Sequence, residues 1–405
     1  MHSSHPSLLI QKLVTTIERH GPITFRDFME AALYDPEYGY YMTAGPRIGK
    51  EGDYFTSPDV HPIFGTLIGR QLAQVAEAVA PGGEFMVVEQ GAGKGLLARH
   101  LLDACKRDAP QLLARTRYII VERSLEMAQL QRGQLRSFLE DGIRITWHAD
   151  LAVLPQNSLV GAFISNELVD AFPVHRVVRR PLGLREIFVG WSPPDGEVEG
   201  RFIEIEAPPC ERRLENHLSR LGISLEIGQR AEVNFQALDW ITHVARILKR
   251  GIVLTIDYGH TASDLYAPMR RDGTLMCYTG HRTCESPYEN VGRQDLTAHV
   301  NFTDLALAGR EAGLEVTGFT NQLHFLMGLG IEAAFGSAAA QECDAMRNLI
   351  RPDGMGTTYK VLVQHKGLPA PVLDGLRSRP FYHDALYAGV PGGGKGEREW
   401  EAVSR

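Results

Sequence analysis

The sequence predicts an α/β protein built around a doubly wound, mostly parallel β-sheet. From about residue 62 to residue 174, apolar runs of four to eight residues alternate with helical segments, and the alternation resumes after about residue 233. Strands buried on both faces give such continuous apolar runs, and intervening helices connect them in parallel. With 405 residues, 44% of them hydrophobic, the chain has room for two or three domains, or for one domain with large insertions.

The first 80 residues precede this alternation. Apolar residues recur at helical spacing from Leu8 to Ile17, and a second helix is predicted from about Thr24 to Leu33. The following stretch, "YDPEYGYYMTAGPRIGKEGDYFTSPDVHP", has no helical or strand period. A loop of this length is usually functional or disordered, and its five tyrosines and one phenylalanine argue against disorder.

The predicted core elements alternate in order along the chain. Strands are expected at 84–90, 117–122, 143–148, 159–166, 251–259, 314–319 and 357–366. Helices are expected at 62–79, 95–107, 124–139, 235–249 and 302–313, with a helical region around 322–350. The β-like segments "HRVVRRPLGLREIFVGWSP" and "GRFIEIEAP" interrupt this order and predict an inserted subdomain.

The expected organisation has four parts. They are N-terminal helices with an active-site loop (1–80), a core (81–174 and 233–365), the inserted subdomain (175–232) and a C-terminal tail (366–405), whose end "GVPGGGKGEREWEAVSR" is rich in glycine and charge.

Composition excludes several classes of partner. The formal net charge is -7, with 49 acidic against 42 basic residues. The chain as a whole therefore lacks the positive charge that attracts nucleic acid. Five scattered cysteines without a C-x-x-C pair indicate neither a disulfide framework nor a zinc site and fit a reducing compartment. No apolar run is long enough to span a membrane, and the N-terminus has no targeting character, so we expect a cytoplasmic protein without membrane insertion.

The first motif is a glycine turn, "EQGAGKG", between the first core strand and its helix. Gly91, Gly93 and Gly95 permit a tight turn and a close approach by a ligand, and the helix N-terminus offers free N–H groups. The spacing is G-x-G-x-G, which differs from the dinucleotide motif and lacks the Lys-Ser/Thr of a P-loop. The alternative interpretation is a plain strand-to-helix connection.

Acidic residues at successive strand ends favour a cofactor. Glu122 ends the second strand, where an acid accepts hydrogen bonds from ribose hydroxyls, and Asp150 follows the third, where it could accept from an adenine amino group. Glu89, just before the glycines, would repel pyrophosphate. It suits S-adenosylmethionine, which carries an ammonium and a sulfonium but no phosphate. Any one of these acids could be a solvated residue at the end of a strand. Three acids at successive strand ends are harder to explain in that way.

The second motif, "SNELVDAFPVHR", follows the fourth strand. Asn166, Glu167 and Asp170 are expected in the crevice outside the carboxyl ends of the strands, beside a bound methyl donor. Two carboxylates could hold an arginine guanidinium in a fork with one nitrogen aimed at the methyl group. The Asn-Pro-Pro-Tyr loop common in amide and base N-methylation is absent. The alternative is a polar cap on a short helix.

Further candidates lie on other segments. Asp53 and Tyr54, in "GKEGDYFTSP", could fold over a cofactor and exclude water, or the loop could simply pack on its own aromatics. His299 lies four positions after Asp295, on one face if this segment is helical, and could accept a proton from a methylated nitrogen or be structural. "IDYGH" places Asp257, Tyr258 and His260 at the rim of the crevice.

Taken together, "EGDYFTSPDVHPIFG", "VVEQGAGKG", "SNELVDAFPVHR" and "DLTAHVNFTDL" resemble the protein arginine methyltransferase family that includes the mitochondrial respiratory complex I assembly factor and bacterial relatives. The resemblance covers roughly residues 8–365. It implies a class I methyltransferase fold, Rossmann-like with a mostly parallel seven-stranded sheet, and S-adenosyl-L-methionine as cofactor. It also implies a protein substrate containing arginine, such as a NADH dehydrogenase subunit.

The resemblance carries roles over to individual residues. It implies that the glycine turn and Glu122 bind the cofactor and that Glu167 with Asp170 matches the Asn-Glu-x-x-Asp segment, although the turn here reads Gly-Ala-Gly-Lys-Gly where relatives often have Gly-Pro-Gly-x-Gly. Two alternatives stay open. One is methylation of a small molecule or another side chain, and the other is an assembly factor with little catalytic activity.

Overall fold

The computed structural model describes residues 8–43, 49, 52–53, 55–195, 200–284, 286–336, 338–378 and 383–391. The strands are β1 (Ile23–Thr24), β2 (Phe85–Gln90), β3 (Thr116–Val121), β4 (Arg144–His148), β5 (Leu159–Asn166), β6 (His175–Arg180), β7 (Gly183–Ser192), β8 (Arg201–Ala207), β9 (Arg230–Val233), β10 (Leu248–His260), β11 (Met276–Thr279), β12 (Arg282–Thr283), β13 (Asp295–Thr297), β14 (Val300–Asn301), β15 (Glu315–Asn321) and β16 (Tyr359–Lys366). The helices are α1 (Leu8–His20), α2 (Phe25–Tyr34), α3 (Ser57–Val60), α4 (Ile63–Val79), α5 (Leu96–Asp108), α6 (Pro110–Arg115), α7 (Leu125–Gln134), α8 (Arg136–Glu140), α9 (Arg213–Arg220), α10 (Phe235–Ile247), α11 (Ala262–Leu265), α12 (Phe302–Glu311), α13 (Gln322–Gly328), α14 (Ile331–Phe335), α15 (Ala340–Ile350), α16 (Met355–Thr358) and α17 (His383–Leu386).

The central sheet has the strand order β15-β16-β10-β5-β2-β3-β4, with the two-residue β14 added at the end of β10. Neighbours from β10 to β4 pair in parallel, and β16 is antiparallel to both of its neighbours. The order reverses between β2 and β5, which opens a crevice at the carboxyl ends of these strands. The predicted mostly parallel sheet of seven long strands is confirmed.

Two apolar cores lie on opposite faces of this sheet, because successive strand residues point to opposite sides. Val87 and Ile164 pack in one core with α4 and α5, whereas Val88 and Phe163 pack in the other with α10 and α12. The continuous apolar runs seen in the sequence therefore reflect strands covered on both faces.

Helix starts follow the sequence closely. The Asn234 side chain accepts a hydrogen bond from the Ala237 N–H at 2.9 Å and begins α10, and Asn301 begins α12 in the same way. The predicted helix at 124–139 divides at Leu135 into α7 and α8, and the region 322–350 divides into α13, α14 and α15.

A second, antiparallel sheet joins the N-terminal and inserted segments. Its order is β1-β7-β6-β9, with β8 paired to β7, so the short β1 extends the sheet formed by residues 175–233. Side chains of α1 and α2, including Phe25 and Phe28, pack against Val189 and Phe202 of this sheet. This unit brings α2 to the rim of the crevice.

Two further segments differ from expectation. Asp295 lies in β13 of a small third sheet and His299 lies between β13 and β14, so the helical spacing considered for this pair is wrong. Part of the segment expected as a tail packs on the cores, where Leu373 and Leu386 are buried. Among the residues described, no helix is long and apolar enough to cross a membrane.

Candidate active site

A cavity of about 1070 Å³ opens at the carboxyl ends of the central strands. Residues at or just after the ends of β2, β3, β4 and β5 line it, together with parts of α3, α5, α7 and α10 and the loop after α2. Ligand sites in doubly wound folds lie at this position, and the volume suits a nucleoside-sized cofactor and part of a second reactant.

The glycine turn forms one wall of the cavity. The Gly91 N–H donates to the Val121 carbonyl at 3.1 Å, and Gly91 adopts a positive φ of 69°. A Cβ at this position would lie 2.8 Å from Leu168 Cδ1, so the Leu168 side chain, which also lines the cavity, would have to move. Gly95, with φ of 81°, forms the N-cap of α5 and does not line the cavity.

An ion pair joins the glycine turn to α3, which follows the loop after α2. Lys94 Nζ pairs with Asp59 Oδ1, and the Asp59 side chain is 5% exposed. The other carboxylate oxygen accepts from the Thr56 hydroxyl at 2.5 Å, which fixes the start of α3. Thr56, Pro58 and Asp59 thereby form a wall facing the glycine turn. Sequence reasoning missed this pair, because 35 positions separate its members.

Glu89 lies in the cavity wall just before the glycines and is 2% exposed. Its Oε2 accepts a hydrogen bond from the Tyr118 hydroxyl at 2.6 Å. Burial raises the pKa of Glu89 to about 7. A cationic ligand group would favour the ionised form of this carboxyl, as expected for a site that binds an ammonium.

Glu122 and Asp150 line the nucleoside end predicted from the sequence. Glu122 accepts from the Ser124 N–H at 2.9 Å and from Gln131 Nε2 at 3.0 Å, and burial raises its pKa. Asp150 Oδ1 accepts from the Ala152 N–H at 2.7 Å. Apolar side chains of the same wall, Met127, Leu130 and Leu151, offer a surface for a flat base.

Glu167 lies at the floor of the cavity with a positive φ of 52°. This conformation is uncommon for a residue with a side chain and marks a position held by its surroundings. Oε1 accepts from the Ser57 N–H at 3.0 Å and from Asn166 Nδ2 at 2.9 Å, and Oε2 accepts from the Tyr359 hydroxyl at 2.8 Å. Burial raises the pKa of Glu167 to about 8.

The Asn166 side chain gives the cavity wall a polar group that could bind the cofactor. Its Oδ1 is buried and has no hydrogen-bond partner within the described structure, although the residue lines the cavity. Buried polar atoms are nearly always paired, so this acceptor is suited to a donor from a ligand. Together with the cationic preference at Glu89 and the close approach allowed by Gly91, it fits an amino-acid moiety joined to a nucleoside.

Asp170 is buried behind this wall and does not line the cavity. The Tyr258 hydroxyl donates to Asp170 Oδ2, whereas Oδ1 has no partner within the described structure. Burial raises the pKa of Asp170 to about 6. Asp257 Oδ2 accepts from the backbone N–H groups of Leu168 and Val169 at 3.2 and 2.9 Å, which shapes the turn after β5.

The remaining predicted site residues lie elsewhere. His299 is outside the cavity wall with its ring against Tyr258, and burial lowers its pKa to about 4, which makes it a weak proton acceptor. Asp53 also lies outside the wall and accepts from the Tyr40 hydroxyl and the Gly280 N–H, both at 2.6 Å. Tyr54 falls outside the described residues.

The structure brings together residues that the sequence reading did not assign to the site. Tyr34 and Tyr41 line the cavity, and Tyr359 holds Glu167 from β16. Trp240 of α10 also lines it, and its Nε1 donates to Gln90 Oε1 at 2.9 Å. The tyrosine-rich loop was a usable signal for the first two, but nothing local marks Tyr359 or Trp240.

Comparison with known proteins agrees with this geometry. Residues 67–320 match the model of a family described as S-adenosyl-L-methionine-dependent methyltransferases. The chain is 28% identical to the mitochondrial protein arginine methyltransferase NDUFAF7 homolog of Drosophila melanogaster, over 92% of this chain and 87% of that one. The corresponding NDUFAF7 protein of Bos taurus is 26% identical, over 97% and 90%.

A solved structure is similar over nearly the whole chain. The crystal structure of a Burkholderia thailandensis protein bound to S-adenosyl-homocysteine superposes with a TM-score of 0.83 and 30% identity, covering 93% of this chain and 96% of that one. The cofactor is S-adenosyl-L-methionine, and the glycine turn, Glu89, Glu122 and Asn166 are the residues here that would hold it. The chain belongs to this family of S-adenosyl-L-methionine-dependent methyltransferases.

Proposed function

We propose that the protein methylates arginine side chains of a partner protein. The observation that carries this proposal is Glu167, a half-buried carboxyl in the cavity wall whose hydrogen-bond partners among the described residues are all neutral. A carboxylate accepts two N–H groups of a planar guanidinium in a charge-assisted fork. The names of the mitochondrial relatives as protein arginine methyltransferases support the same acceptor.

In the proposed reaction, residues of the protein orient the acceptor and take up its proton. The bound cofactor supplies a methyl group on a positively charged sulfur. Glu167 orients the guanidinium so that one nitrogen faces this methyl group, and orientation is the main requirement of an in-line displacement. As the new N–C bond forms and the S–C bond breaks, the nitrogen loses one proton, and the Glu167 carboxylate is placed to take it. Burial raises the pKa of Glu167 to about 8, and the charge of a bound guanidinium would favour the ionised form that orients it and takes the proton.

The partner proposed here is a subunit of NADH dehydrogenase. The sequence resemblance to the complex I assembly factor supports this choice. The second sheet, with α1 and α2 packed on it, lies beside the cavity, since Tyr34 at the end of α2 lines the cavity wall. This unit is therefore positioned to contact a protein whose arginine enters the cavity.

Mass spectrometry of cells lacking the gene tests the proposal. Arginine methylation is compared proteome-wide between these cells and cells complemented with the wild type, with Glu167→Gln or with Glu289→Gln, an exposed acid in the loop before β13. We expect one or a few arginine sites, on a NADH dehydrogenase subunit, that are methylated only with the wild type and Glu289→Gln. If no arginine site depends on the gene, or if Glu167→Gln restores it fully, the proposal is wrong.

A further inference from the structure

Four carboxyls, one half-buried and three buried, lie close enough to one another to interact electrostatically. We call Glu167, Asp170, Asp257 and Asp295 the acid cluster. The last three are 5%, 0% and 3% exposed. The Ala298 N–H donates to the Asp170 carbonyl at 2.9 Å, which brings the segment containing Asp295 against the turn after β5.

The acid cluster has no cationic partner within the described residues. None of its members forms an ion pair there, and the donors that reach them are tyrosine hydroxyls, the Asn166 amide and backbone N–H groups. Asp170 Oδ1 is buried and has no hydrogen-bond partner in the part of the chain that the structure describes. Carboxylates without a counter-charge are unfavourable in the interior, and burial accordingly raises the pKa of all four carboxyls. A cation that arrived from the cavity would favour their ionised forms and supply the missing counter-charge.

Two stacked tyrosines separate the cavity from Asp295. Tyr34 and Tyr41 both line the cavity, with ring centroids 5.5 Å apart and planes inclined by 29°. The Tyr34 hydroxyl donates to the Ala171 carbonyl at 3.0 Å, and the Tyr41 hydroxyl donates to Asp295 Oδ1 at 2.7 Å. Tyr41 therefore connects the cavity wall directly to the acid cluster, and its aromatic face suits a flat cation.

We infer that Asp295 is a substrate-positioning residue that, together with Glu167, binds the acceptor guanidinium. The guanidinium reaches it by displacing the Tyr41 side chain from between Asp295 and the cavity, so that a guanidinium N–H replaces the Tyr41 hydroxyl on Asp295. This inference rests on the proposed function and adds to it a specificity element. The Glu167 and Asp295 carboxylates belong to separate segments of the chain, so together they match N–H donors that point in different directions within one plane. A guanidinium has such donors, and an ammonium does not.

Calorimetric titration with three 5′-thioadenosine ligands tests the inference. Their sulfur carries a guanidinoalkyl, an aminoalkyl or an uncharged alkyl arm, so the established cofactor site anchors the nucleoside while the arm reaches the acceptor side. For the wild type we expect the guanidinoalkyl ligand to bind at least about tenfold more tightly than the alkyl ligand. Asp295→Asn should remove most of this advantage and leave the affinity for S-adenosylhomocysteine unchanged. Glu289→Gln, at an exposed acid in the loop before β13, is the control and should keep this advantage.

Three results would contradict the inference in different ways. If Asp295→Asn keeps the full guanidino advantage, Asp295 does not position the acceptor, and the proposed arginine activity is untouched. If the aminoalkyl ligand gains as much as the guanidinoalkyl ligand and loses it in Asp295→Asn, the site is a general cation site and the arginine proposal is wrong. Tyr41→Phe keeps the carboxylate and removes its competing donor, so this variant should bind the guanidinoalkyl ligand at least as tightly as the wild type. Weaker binding would contradict the replacement of the hydroxyl.

Discussion

The two ends of the cavity hold their acids in different ways. At the proposed cofactor end, Glu122 bonds to Ser124 and Gln131, two and nine positions along the chain, and is thus fixed by its own strand, turn and helix. At the proposed acceptor end, Glu167 bonds to its neighbour Asn166 but also to Ser57 and Tyr359, which are 110 and 192 positions away.

This difference separates the part of the site that local strand-to-helix connections form from the part that requires distant segments of the chain. The cofactor end is a local product of successive strand ends and their turns, which the parallel sheet brings into register. The acceptor end exists only when the N-terminal loop, β10, β13 and β16 converge, as the bond from Tyr41 to Asp295 across 254 positions illustrates. The predictions below test whether the two ends also differ in chemical role.

The largest expected effect is that of Glu167→Gln on methyl transfer. The amide removes the negative charge that orients the guanidinium and takes its proton, so kcat should fall about 10²-fold to 10³-fold. Affinity for S-adenosylhomocysteine, measured by calorimetry, should stay within about twofold, because this residue serves the acceptor end. Glu122→Gln should do the reverse, raising the KM for the cofactor about tenfold with little change in kcat. If both variants lost cofactor affinity equally, the division of roles would be wrong.

Gly91→Ala should weaken cofactor binding by about tenfold or more. Alanine is unfavourable at a φ of 69°, by about 1–2 kcal/mol, and its Cβ would lie 2.8 Å from Leu168 Cδ1, which forces the Leu168 side chain in the cavity wall to move. Gly142→Ala is the matched control, with a φ of 79° but open space around the new Cβ. The control should lose similar thermal stability and bind S-adenosylhomocysteine normally. Equal binding by both variants would contradict the role given to the turn.

Removing the ion pair between Lys94 and Asp59 should have a smaller effect. Lys94→Gln and Asp59→Asn should each weaken S-adenosylhomocysteine binding by about threefold to tenfold, because partly exposed pairs contribute about 1 kcal/mol. The double variant should be no worse than the single ones, since both remove the same contact between α3 and the glycine turn. Additive losses in this double-mutant cycle, measured by calorimetry, would show that the two side chains act independently.

The smallest expected effect is on the pH dependence of stability. The Glu167 carboxyl has a pKa of about 8 in the folded protein against an ordinary 4.5, so between these values the folded state binds more protons than the unfolded chain. Stability is therefore lost as pH rises across this window. The melting temperature of the cofactor-free protein should fall by a few degrees from pH 5 to pH 8, and the fall should be shallower in Glu167→Gln than in Glu289→Gln. Identical slopes in these two variants would contradict the burial effect.

Much of the fold was predictable because its signals are local. The runs that became β2, β3 and β5 are continuous and apolar, and Gly91 and Glu122 adjoin the ends of these strands, so their meeting at one edge follows from parallel pairing. The small sheet containing β13 was missed, because strands of two to four residues in an irregular segment have no measurable period.

The acceptor end was only partly predictable for a related reason. Asn166 and Glu167 could be placed from the strand that they end. The contacts of Tyr359 and Tyr41 could not, because a pairing over hundreds of positions depends on the packing of whole elements. His299 illustrates the converse, since a histidine near the crevice in sequence lies behind Tyr258 in the structure.

The most direct test of the account is a crystal structure of the protein with the guanidinoalkyl thioadenosine ligand. We predict that the nucleoside lies between the glycine turn and Glu122, and that the guanidinium lies within hydrogen-bond distance of Glu167 and Asp295, with the Tyr41 hydroxyl moved off Asp295. A structure in which the nucleoside occupies this site, the arm points into solvent and the Tyr41–Asp295 bond stays intact would contradict the claim that the acid cluster is the acceptor site.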